Sequence, residues 1–156
     1  MTDKEAQREA FDAVQRNPYD RFAILFASQD PLLPEGARLV LNHIGLSAAI
    51  PVPTGSRVYG TPREDSDWDW VMPWGKNRFD WASLYADEVK APEEYYDSRR
   101  LIGTLRFGPV NIIVPQAVYW PAWVEGTKAL VARKPVTREQ AVDEFQARFT
   151  AIDKEH

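Results

Sequence analysis

The chain has 156 residues, 44% hydrophobic and 27% charged, with a formal net charge of −4, the profile of one ordinary domain with a real core. It contains no cysteine and only two histidines, His43 and His156, which excludes disulfides, thiolate metal centres and cysteine nucleophiles and argues against histidine-based triads. The acidic balance disfavours broad binding to a nucleic-acid backbone, leaving nucleic acid a possible but unfavoured partner, and no run approaches the roughly 18 apolar residues of a membrane span.

The N-terminal stretch is polar and amphipathic rather than signal-like, so the cytoplasm is the expected location. Ala6, Ala10, Phe11 and Val14 predict a helix over residues 3–16, stopped by Asn17-Pro18. A second short helix is expected over 20–28, where Asp20 precedes an apolar run. The segment "LPEGARLVLNHIGL" predicts a third, with Leu39, Val40 and Ile44 inward and Gly45 at its end.

The pattern then changes. "SAAIPVPTGS" reads as a strand ending in the Gly55-Ser56 turn. "SDWDWVMP" alternates strictly, which puts Asp67 and Asp69 on one face of a strand and Trp68 and Trp70 on the other, facing a core. Residues 78–90 suggest a helix on Trp81, Leu84, Tyr85 and Val89, and "RLIGTLRFGPVNIIVP" a strand pair turning at Gly108-Pro109. Pro121 suits the start of a helix with Trp123, Val124, Thr127, Leu130 and Val131 on one face. Thr137 and Gln140 form a capping-box pattern opening a last helix with Val142, Phe145, Phe149 and Ile152 inward. The expected class is α+β: a small sheet over about 48–115 between helices before it and after it, all one domain.

One spacing carries chemistry. Gly55-Ser56, ten residues, then Asp67-x-Asp69, in "GSRVYGTPREDSDWDW", resembles the signature of the DNA polymerase beta-like nucleotidyltransferases, especially its minimal members. Weaker similarity to nucleotidyltransferase-like proteins of bacteriophages extends through "RFGPVNIIV" and "WPAWVEGTKAL". The resemblance implies a small mixed sheet and an NTP substrate. Gly55, Ser56, Arg57 and Ser66 would stand at the nucleotide, with Mg2+ or Mn2+ on Asp67 and Asp69, and a nucleoside monophosphate would pass to an acceptor hydroxyl. Physical chemistry supports it: carboxylates two apart on a strand converge on one hard cation, and a glycine lets backbone N–H groups approach a phosphate.

A calcium loop does not fit, because Trp70 stands where that loop needs glycine and Lys76 where it needs glutamate. The resemblance also implies a third carboxylate on a later strand. Asn111 occupies that position; its carbonyl can ligate a metal, but it brings neither charge nor a base. Either the strand is misaligned, or Asp80 or Asp87 supplies the missing acid, or the protein binds nucleotide as a regulatory module with little or no turnover. Trp74 or Trp81 is a candidate wall for a nucleobase, Lys76 and Arg78 are candidate phosphate contacts, and Arg63 is close enough in sequence to assist. Arg99-Arg100 reads as a surface pair and His43 as structural.

Overall fold

A computed structural model describes residues 5, 28–46, 51–91, 99–108 and 110–155 of the chain. The helices expected over 3–16 and 20–28 lie outside the described residues, apart from Glu5 and Ser28. The architecture is α+β. In chain order the elements are α1 (Glu35–Leu46), β1 (Val52–Thr54), α2 (Ser56–Tyr59), β2 (Trp68–Val71), α3 (Lys76–Ser83), β3 (Glu88–Lys90), β4 (Leu101–Phe107) and β5 (Val110–Pro115). A 3-10 turn (Ala117–Tyr119), α4 (Trp120–Ala132) and α5 (Arg138–Glu155) follow.

The five strands form one sheet in the order β1-β2-β5-β4-β3. Only β2 and β5 run parallel; the other three pairs are antiparallel. The chain leaves β2 through α3, makes β3 and β4 on the far edge, and turns back at Gly108 into the centre as β5. Gly108 sits at φ 59°, the left-handed region that glycine enters without penalty.

Alternation along the strands splits the core in two. Trp68 and Trp70, 0% and 1% exposed, join Ile112, Leu105, Phe107 and Phe79 beneath α1 and α3. Val71, Ile113 and Leu101 face the other way and meet Tyr59, Trp123, Leu130, Phe145 and Phe149 from α2, α4 and α5. On that side the rings of Trp123 and Phe145 lie 4.7 Å apart, a tilted contact of the kind aromatic quadrupoles favour.

Three expectations need correcting. The region expected to be one helix over 78–90 is α3, a turn, and the edge strand β3, whose pairing with β4 outweighs the helical spacing of Val89. Leu39 is 50% exposed and Val142 49% exposed, so the inward stripe of α1 is Ala37, Val40, Leu41 and Ile44, and that of α5 is Ala141, Phe145 and Phe149. The capping box is present in both directions: Gln140 N–H donates to Thr137 Oγ1 at 3.1 Å, and Thr137 N–H donates to Gln140 Oε1 at 2.8 Å. Thr137→Ala is expected to lower stability by about 1 kcal/mol in urea unfolding, with an unchanged slope.

Candidate functional site

The site begins where β1 ends. Gly55 has φ 87° and ψ −175°, a backbone conformation almost confined to glycine, and α2 starts at the next residue, Ser56. A β-carbon at Gly55 would fall 2.1 Å from Asp69 Oδ2, so the turn and the aspartate strand are in direct contact. Register aligns Thr54 with Asp69 and Asp69 with Asn111. Thr54 is anchored from behind, its hydroxyl 2.8 Å from that of Thr127 on α4. Gly55, Asp69 and Asn111 are thereby fixed by three strands and a helix.

Asp69 is partly buried, and its carboxyl is pushed up to about 6, first by burial and then opposed by the hydrogen bond from Asn111. Asn111 Nδ2 donates to Asp69 Oδ1 at 3.0 Å. The charge of Asp67 raises the value further, while Arg99 and Arg57 pull it down. Asp67 stands one residue before β2 and acts on Asp69 as a like charge in the same site.

Asn111 therefore stands directly beside Asp69 on the neighbouring strand. Neither proposed substitute acid stands there. Asp80 pairs with Lys76 on α3 at 2.9 Å, and Asp87 accepts the Gly108 N–H at 2.7 Å. Among the described residues no group of three or more His, Asp or Glu side chains converges as a metal site. The side chains here that could hold a hard cation are the carboxylates of Asp67 and Asp69 and the amide of Asn111, with the rest of the shell left to other oxygen ligands.

Two residues expected at the nucleotide hydrogen-bond the loop ahead of β2. Arg57 Nε donates to Ser66 O at 2.9 Å, its Nη2 reaches Glu64 O at 2.9 Å and Arg63 O at 3.1 Å, and the guanidinium stacks 4.0 Å from the Trp68 ring centroid. Ser66 Oγ accepts the Arg63 N–H at 2.8 Å. Both hold the segment 61–67 in place ahead of Asp67. Ser56 opens α2, its carbonyl accepting the Gly60 N–H at 2.9 Å.

The tryptophans and cations beyond the aspartate strand lie across the sheet. Trp74 is buried with Trp68 and Trp70, and Trp81 packs on the same cluster, on the face opposite Asp69. Neither is placed to wall a nucleobase at this site. Arg78 hydrogen-bonds His43, whose ring meets Trp81 edge-on at 5.0 Å; burial and then the Arg78 charge lower the His43 pKa. That histidine is structural.

Arg99 and Arg100, expected as a surface pair, act in different places. Arg100, at φ 57°, pairs with Asp153 of α5 at 2.9 Å, while the charge of Arg99 acts on Asp69 and on Tyr59. Comparison of the chain with protein-family models, curated proteins and solved structures gives no match.

Proposed function

We propose that this protein is a metal-dependent nucleotidyltransferase of the polymerase beta-like kind, taking an NTP and passing its nucleoside monophosphate to an acceptor. The observation that carries the reading is the packing of Asp69 directly against Gly55, with Asp67 two residues earlier, so that the two halves of the sequence signature make one site. Asp67 and Asp69 would hold Mg2+ or Mn2+, with the amide of Asn111 beside them as a neutral neighbour. The ion would neutralise phosphate oxygens and orient the leaving pyrophosphate.

The protein's own share is positional. Gly55 lets the Asp69 carboxylate close directly onto the turn, in space that any side chain would take. Arg57 keeps the loop closed over Trp68, so Asp67 arrives at the cation without ordering a segment first. Arg99 supplies positive charge on the same side. No described helix is long and apolar enough to cross a membrane. The cytoplasm, where NTPs and magnesium are plentiful, suits this reading.

Asn111 favours a second reading, a nucleotide-binding regulatory module without turnover, because the site lacks a third carboxylate to activate a hydroxyl. Incubation with α-labelled NTPs, magnesium and a panel of acceptors separates the two. Label transfer that disappears in Asp67→Asn and Asp69→Asn, by at least about 100-fold, is the expected outcome. Undiminished transfer by the double variant would refute the site, and tight binding without transfer across the panel would favour the module.

A further inference from the structure

Two buried hydroxyls stand behind the site. Thr54, the last residue of β1, and Thr127 of α4 are 1% and 2% exposed, and their oxygens lie 2.8 Å apart. Thr127 lies on α4 between Trp123 and Leu130, both members of the apolar layer that includes Val71, Phe145 and Phe149. A pair of valines would have nearly the same shape and no polar atom to satisfy. What the hydroxyls add is a fixed distance and direction, which apolar packing does not supply.

The protons run one way. Thr127 Oγ1 donates to Trp123 O on the preceding turn of α4 at 2.8 Å. Its single proton is used there, so Thr127 accepts the proton of Thr54. Thr54 is left with an acceptor oxygen, and the Tyr59 hydroxyl hydrogen-bonds both Thr54 and the Gly55 main chain. Tyr59 is itself buried and closes α2; its N–H reaches Gly55 O at 3.2 Å, and its carbonyl accepts the Val136 N–H at 2.8 Å. One chain of hydroxyls thus ties β1 and α2 to α4.

That chain ends where the site has no slack. Thr54 stands opposite Asp69 in the sheet, and Gly55 follows it directly. A β-carbon at Gly55 would lie 2.1 Å from Asp69 Oδ2, so a shift at the end of β1 is passed to the carboxylate or opens a gap beside it. Ligands of a metal ion must be held to within ~0.5 Å of the productive geometry. We propose that Thr127 and Tyr59 are positioning residues of the metal site, acting through the Thr54 hydroxyl on the Gly55 turn and so on Asp69. Neither touches the ion or the nucleotide. The proposal rests on the nucleotidyl-transfer reading and adds α4 to it: Thr127 lies 73 residues beyond Thr54 in the chain, well outside the sequence signature.

Binding of Mn2+ with a non-hydrolysable NTP analogue, measured beside urea unfolding, tests these roles. Thr127→Val keeps the shape and removes the hydroxyl, and the folded variant should bind the pair at least about tenfold more weakly. Thr127→Ser keeps the hydroxyl and loses a methyl; it should bind within about threefold of wild type even where it is less stable. Tyr59→Phe should weaken binding by about threefold or more. The double variant Tyr59→Phe with Thr127→Val should be no more than about twofold weaker than Thr127→Val alone, because both act through Thr54. A role in stability alone would lower the urea midpoint and leave the affinity of the folded protein unchanged. If Thr127→Val does not fold, Thr127→Ser and Tyr59→Phe decide the matter. Binding by folded Thr127→Val or by Tyr59→Phe as tight as wild type, or by Thr127→Ser as weak as by Thr127→Val, overturns the positioning roles and leaves the metal site standing. A wild type that binds neither Mn2+ nor the analogue overturns both.

Discussion

Replacing Gly55 by alanine is expected to destabilise the protein by about 2–4 kcal/mol and to abolish nucleotide binding. Two effects add. The backbone at φ 87° and ψ −175° belongs to a region that residues with a β-carbon enter at a cost of roughly 1–3 kcal/mol. The new β-carbon would also lie 2.1 Å from Asp69 Oδ2, a distance at which the carboxylate or the turn must move. Gly108 is the control. It too has a positive φ, 59°, but its β-carbon would meet Leu33 Cδ2 at 3.0 Å, the far end of a side chain. Gly108→Asn is expected to cost under about 1 kcal/mol, since asparagine tolerates the left-handed region. A double-mutant cycle of Gly55→Ala with Asp69→Ala separates the two effects at Gly55. Removing the carboxylate relieves the contact and leaves the backbone strain, so a coupling of about 1 kcal/mol or more is expected in urea unfolding. Strict additivity would show that Gly55 and Asp69 do not touch.

Asp69→Asn is expected to stabilise the metal-free protein at pH 7 by about 1–3 kcal/mol while removing metal-dependent nucleotide binding. The folded carboxyl titrates near 6 against an ordinary 3.8, chiefly because burial penalises its charge. Between those values the folded state binds a proton that the unfolded state has released, so wild-type stability falls as pH rises from 4 through 6 and levels off above. Asparagine carries no such penalty. The variant's advantage should be present at pH 7, shrink as pH falls through 6, and vanish near 4, with a chelator throughout. Equal stability of variant and wild type at pH 7 would show that Asp69 is ionised there without penalty.

The elements that flank the site were legible because each is local, whereas the meeting of Gly55 with Asp69 was expected only from the resemblance. Glycine before Ser56, alternation through Trp68 and Trp70, a glycine turn at 108 and the Thr137-Gln140 box each follow from a few neighbouring residues, and each has a mechanism that tertiary packing leaves alone. The misses depend on what lies across the sheet. β3 is three residues long and charged at both ends; its strand form comes from pairing with β4, which no window over residues 78–90 contains. The hydrogen bonds of Arg57 and Ser66 within the loop 63–66 also arise only once that loop folds back on itself. Leu39 and Val142 show the limit of apolar periodicity: it locates a helix better than it locates the edge of the buried stripe.

A crystal grown with Mn2+ and a non-hydrolysable NTP analogue tests the central claim most directly. The account predicts an anomalous manganese peak ligated by Asp67 and Asp69, with the phosphates lying against Gly55. Manganese or phosphates bound elsewhere, with the Asp69 carboxylate still hydrogen-bonded to Asn111 and free of any ion, would contradict it.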